Sequence, residues 1–137
     1  MHVQQMIASH PSVRGRTNDL LIRCIEACYD CAQSCVACAD ASLGEDMVKD
    51  LIRVIRLDLD CSDICVATGQ IASRRTGADP GLIRRVIETC VEACRVCAEE
   101  CERYADRYEH CRMCAESCRA CEQACKDAVD SVAATLQ

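Results

Sequence analysis

Apolar and thiol side chains recur every third or fourth position along most of this chain, and charged residues fill the places between them. Leu21, Cys24, Cys28, Cys31, Cys35 and Cys38 keep that spacing in one segment, and Val54, Asp58, Cys61, Cys65, Thr68 and Ala72 keep it in a second. A third holds Ile83, Ile87, Cys90, Cys94, Cys97 and Cys101, and a fourth Cys111, Cys114, Cys118, Cys121, Cys125, Ala128 and Val132. Alternating steps of three and four bring side chains onto one face of an α-helix. The pattern therefore predicts four long amphipathic helices, each turning this stripe inward.

Punctuation between the stripes supports that division. A segment of residues 1–14, long enough for one or two helical turns, precedes Thr17, which is expected to cap the first helix and carry it to about Ala41. Ser42 followed by Glu45 has capping-box spacing for the start of the second, and Gly77 lies just past its end. Asp79 with Pro80 signals the start of the third. No glycine or proline separates the third helix from the fourth, so the turn is placed near Asp106 and Arg107. Short connections make neighbours antiparallel. The expected fold is all-α, an up-down-up-down antiparallel four-helix bundle over about residues 17–134, with a cysteine-lined core and a short N-terminal helical segment. Residues 1–137 are expected to form a single domain.

Reflecting the chain about each turn stacks the inward positions in levels. The first holds Cys24, Cys65, Cys90 and Cys125, and the second Cys28, Cys61, Cys94 and Cys121. Cys31, Asp58, Cys97 and Cys118 follow, then Cys35, Val54, Cys101 and Cys114. Beyond the first level, Leu21, Thr68, Ala72, Ile83, Ile87, Ala128 and Val132 form an apolar plug. Beyond the last stand Cys38, Cys111, Met47 and Leu51 with His110 and Met113 beside them, so that end is expected to be the entrance.

Composition narrows the chemistry. There are 16 cysteines and no tryptophan or phenylalanine, and the net charge of −6 comes from acids and arginines mixed along the helices. Such mixing argues against a nucleic-acid surface, and no run is apolar enough to span a membrane. The first twenty residues carry no secretory signal. A cytoplasmic protein with reduced thiols is expected.

Neighbouring thiols on a helix have Cβ atoms about 5–6 Å apart, wider than the roughly 3.5–4.5 Å of a disulfide. A metal spans that gap without bending the backbone. Soft thiolates select Cu(I), Zn(II) or iron–sulfur clusters. Sixteen thiolates sharing Zn(II) four at a time would hold about four ions and leave about eight negative charges buried. Bridging thiolates with about one Cu(I) each are neutral. The helical runs match neither the isolated four-ligand sets of structural zinc sites nor the loop cysteines of ferredoxins. Five CxxC pairs, Cys28 to Cys31 among them, are weak redox signals outside a βαβ setting.

Other residues read two ways. Asp58 is either a carboxylate facing water or a proton acceptor and auxiliary oxygen ligand among thiols. His110 is either a solvated turn histidine or a ligand at the mouth. Met47 and Met113 are either gap-fillers or soft donors there. His2, Met6 and His10 are assigned no role. On the second helix Val48, Ile52, Ile55 and Leu59 make a further apolar stripe, which calls for packing against the N-terminal segment or another protomer.

The runs CxxxCxxCxxxCxxC at 24–38, CxxxCxxCxxxC at 90–101 and CxxCxxxCxxCxxxC at 111–125 resemble the bacterial copper storage proteins, and the start without a signal resembles their cytosolic branch. The resemblance implies a non-enzymatic store of many Cu(I) ions inside the bundle, bound by Cys24, Cys28, Cys31, Cys35, Cys38, Cys61, Cys65, Cys90, Cys94, Cys97, Cys101, Cys111, Cys114, Cys118, Cys121 and Cys125. It also implies tetramers and a histidine or methionine near the mouth, for which His110 is the candidate. A copper chaperone or recipient is the partner such a store would serve. The alternatives are a zinc or cadmium thiolate buffer, a thiol–disulfide redox protein, and a structural or chaperone-like bundle carrying one or two ions.

Overall fold

The computed structural model describes residues 2–136, with side chains described as far as Val132. Five α-helices follow one another: α1 (Val3–Ala8), α2 (Asp19–Leu43), α3 (Ile52–Ser73), α4 (Pro80–Glu102) and α5 (Glu109–Leu136), with a 3-10 turn (Val48–Leu51) leading into α3. The four long helices form an up-down-up-down bundle, α2 packing on α3 and α5, and α4 on α3 and α5. The described residues contain no strand, and no helix is long and apolar enough to cross a membrane.

Two of the expected helix starts differ. The cap of α2 is Asn18, whose Oδ1 accepts the Leu21 N–H at 3.2 Å, while the Thr17 hydroxyl donates to Asp19 Oδ1. Asn18 also donates its side-chain amide to Ser131 Oγ, which ties the start of α2 to the end of α5. Ser42 does not open a helix. It is fully buried in the last turn of α2, because it continues the inward stripe seven residues after Cys35. Gly44 closes α2, and α3 begins through the 3-10 turn with no side-chain cap. Asp79 accepts the Leu82 N–H at 2.9 Å ahead of Pro80, as the sequence suggests. The α4–α5 turn, residues 103–108, contains Asp106 and Arg107.

One continuous core runs the length of the bundle, and cysteine is its commonest residue. Leu21, Thr68, Ala72, Ile83, Ile87, Ala128 and Val132 are all buried, so one end is a packed apolar plug. The N-terminal segment covers that end: Ile7 is buried, and His10 Nε2 lies 3.0 Å from Thr76 Oγ1 on the α3–α4 loop. Nearby the Tyr29 ring lies against Gly69, where an added Cβ would come within 2.9 Å of it. Because α1 packs at this end, it leaves the stripe at the start of α3 uncovered. Ile52 and Leu59 are exposed and Val48 and Ile55 half-buried. Ion pairs such as Arg56–Asp60, Arg95–Glu99 and Arg119–Glu102 occupy the outer faces.

Candidate metal centre

All sixteen thiols are free and buried, and they stand close to one another along the bundle axis. At the plug end Cys24 and Cys125 are 3.3 Å apart, Cys28 is 3.7 Å from Cys90, and Cys65 is 3.8 Å from Cys90. Midway, Cys61 lies 3.9 Å from Cys94 and Cys31 lies 3.7 Å from Cys118. Cys35 is 3.7 Å from Cys118 and 3.8 Å from Cys114, and Cys38 is 4.0 Å from Cys111 at the far end. These separations are about twice a disulfide bond. They suit a metal held between two sulfurs at about 2.3 Å from each.

The thiols do not form flat levels. Groups able to surround one ion include Cys28, Cys90, Cys121 and Cys125, then Cys31, Cys65, Cys94 and Cys121, then Cys31, Cys35, Cys61 and Cys118. Each draws on two or three expected levels, and Cys31 and Cys121 each belong to two groups. The stagger comes from how the antiparallel neighbours pack, offset from one another by part of a turn. The chemical consequence is a chain of overlapping sites in place of isolated ones.

Asp58 points inward and is fully buried. Its Oδ1 accepts from Cys97 at 3.1 Å, Cys114 at 3.2 Å and Cys101 at 3.6 Å. Burial, followed by the proximity of Cys114 and Cys38, pushes its carboxyl up to about 10. The solvated reading of this residue is thereby corrected: the acid stands where α3 would otherwise offer a thiol, in a group with Cys38, Cys101 and Cys114. Buried lysine or arginine is absent among the described residues. Charge placed on the column therefore finds no fixed counter-ion, and replacing each thiol proton with one monovalent cation keeps it neutral.

At the end opposite the plug His110, the second residue of α5, turns Nδ1 toward Cys38 Sγ at 3.4 Å and Cys111 Sγ at 3.7 Å. Its Nε2 meets Glu45 Oε2 at 2.8 Å, and its ring stacks on Tyr108 with centroids 5.6 Å apart. Partial burial alone would lower the imidazole's proton affinity. The Cys38 and Glu45 contacts outweigh it, and the net shift is upward. Hydrogen bonding with Cys101 and Cys111 lowers the Cys38 thiol from its ordinary value. Cys111 moves the other way, raised by its hydrogen bond with Cys38 and by burial. Leu51 is buried, whereas Met47 and Met113 stand on the surface, each more than half exposed. The structure thus brings His110 to the thiols and leaves both methionines outside them. Sequence reasoning missed Glu45 as a site residue, having spent it on a capping box. A carboxylate in the turn facing a mouth histidine was the available signal.

Fold and lining together define a thiol-cored four-helix bundle with a Cys–His cluster at one end and an apolar plug at the other. Residues 17–130 match the family described as copper storage protein, and the chain belongs to that family. It is similar to the Streptomyces lividans copper storage protein Ccsp loaded with 10 copper equivalents: 46% identical, TM-score 0.89, covering 93% of this chain and 98% of that one. A five-copper structure, whose protein is described as a cytosolic copper storage protein from the same organism, is 50% identical over 82% of this chain and 93% of that one, with a TM-score of 0.81. The Cu(I)-bound storage protein BsCsp3 is 32% identical over 75% of this chain and 92% of that one, with a TM-score of 0.67.

Proposed function

We propose that this protein sequesters many Cu(I) ions in the cytosol by exchanging thiol protons for metal along the bundle axis, with the whole chain acting as one domain. The observation that carries the reading is the unbroken column of buried thiols with no buried cation beside it. All sixteen cysteines are the ligands. Monovalent exchange keeps the interior neutral at every stage of filling, whereas Zn(II) in four-sulfur sites would accumulate negative charge. Cys38, with its depressed thiol, and His110 receive the ion at the mouth. Asp58 supplies an oxygen beside Cys97, Cys101 and Cys114. The plug closes the other end, so the ion leaves by the way it entered.

Storage needs no catalysis, and we assign none. The partners are copper itself and a chaperone or recipient that trades ions at the mouth. The uncovered stripe of Val48, Ile52, Ile55 and Leu59 supports self-association, with the tetramer expected from the family resemblance; a monomer mass at micromolar concentration would refute it.

The deciding experiment is an anaerobic titration of the reduced protein with Cu(I) against a competing chelator, read as ions per chain. A plateau comparable with the 16 thiols supports a store. A plateau of about four ions or fewer returns the protein to the zinc-like or chaperone reading.

A further inference from the structure

Glu45 lies in the α2–α3 connection, one residue past the Gly44 that closes α2, and across the mouth from the start of α5. Its Oε2 is 2.8 Å from His110 Nε2, and both side chains are largely covered, at 33% and 22% relative exposure. The other ring nitrogen then has one direction open to it, toward Cys38 Sγ and Cys111 Sγ. Stacking on Tyr108 resists rotation of the ring out of that plane. Four residues, Glu45, Cys38, Cys111 and Tyr108, thus act on one imidazole.

An imidazole can offer a metal only the nitrogen that carries no proton, and the hydrogen bond at the other nitrogen decides which one that is. A carboxylate only accepts, so the Nε2 facing Glu45 must hold the hydrogen. In the neutral ring Nδ1 is then left with its lone pair on the side of the two sulfurs, which as thiols can donate to it. With Glu45 absent, the proton could settle on Nδ1 and the ring could swing into solvent, and in either state the mouth would lose its nitrogen donor.

We infer that Glu45 is a positioning residue for metal entry, holding His110 in the tautomer and orientation that aim Nδ1 between Cys38 and Cys111. The inference rests on the copper-storage reading for its purpose, but its structural half stands apart from copper. Glu45 touches no metal. It sets the donor that does, and it links the α2–α3 turn to the first turn of α5 across the opening.

The test has a copper-free arm and a loading arm. In the reduced apo protein, the 15N resonances of the histidine rings report which nitrogen of His110 is protonated. At a pH high enough for the ring to be neutral, the expected result is an Nε2–H ring in the native protein and in Glu45→Gln, whose amide oxygen still accepts, and a mixed or Nδ1–H ring in Glu45→Ala. In stopped-flow loading with a Cu(I)–chelator complex, Glu45→Ala should slow the first phase about tenfold with the final capacity unchanged. Glu45→Gln should recover most of the native rate. An Nδ1–H ring in the native apo protein overturns the inference even if no variant folds. Native loading kinetics in Glu45→Ala overturn it as well. Failure of the native protein to take up copper would reject the storage reading while leaving the ring assignment to stand or fall on the copper-free arm.

Discussion

At the scale of single residues the unusual group is Asp58, a neutral acid among thiols. Below its ordinary value of 3.8 the carboxyl is protonated in both the folded and the unfolded chain and does not affect stability. Between 3.8 and about 10 the unfolded chain releases the proton and the folded chain keeps it, so apo stability falls as pH rises through that window. The accumulated cost at neutral pH is about 4 kcal/mol. Asp58→Asn should accordingly stabilise the apo protein near pH 7 by about 1–3 kcal/mol, and the gain should vanish near pH 4. Urea unfolding of the reduced protein across that range measures it, and a gain independent of pH would contradict the neutral-acid account. Cys38 and Cys111 make a different prediction because they stand beside His110 at the end opposite the plug. Replacing both with serine should slow Cu(I) uptake more than it lowers capacity, and an unchanged rate would remove the entrance from this end.

At the scale of elements, the informative differences lie at helix ends. Thr17 and Asn18 are both competent caps by type, and a choice between them rests on which side chain reaches the free N–H groups of the first turn. Asn18→Ala should cost about 1–2 kcal/mol, because it loses the Leu21 N–H bond and the link to Ser131 together. Thr17→Ala should cost only a few tenths of that, and equal losses in a denaturant series would restore the threonine cap. Ser42 and Glu45 have the spacing of a capping box, but Ser42 falls on the buried stripe of α2, and burial carries the helix past it. Local propensity loses to tertiary packing there. Glu45 is thereby free to meet His110, a partner 65 positions away that no local pattern identifies.

For the whole molecule, the composition of the core sets the behaviour without metal. Buried thiols act as small hydrophobes, and the apolar plug and capped helices do not depend on a ligand. The apo protein should therefore keep its helical circular dichroism under reducing conditions. Cu(I) should raise its melting temperature progressively as ions are added, because ligands that bind only the folded state stabilise it by mass action. A strong chelator should reverse the rise. Loss of helix on metal removal would instead place the protein with metal-dependent folds. Ion pairs such as Arg56–Asp60 and Arg95–Glu99 are solvent-exposed and contribute little each, so moderate salt should change the melting temperature of either form only slightly.

The amino-acid sequence by itself determined the four helices, their antiparallel order, the inward face of each, the plugged end and the choice of a soft monovalent metal. All of these follow from the spacing and type of residues within a segment, which local geometry and charge balance translate directly. Only the tertiary structure decided how the thiols group, since a stagger of part of a turn between antiparallel helices is set by packing across the core and not by position along the chain. The same holds for the inward, neutral state of Asp58, for the exposure of Met47 and Met113, and for the Glu45–His110 contact. Each depends on what a neighbouring helix or turn places opposite the side chain, and a one-dimensional pattern carries no record of that.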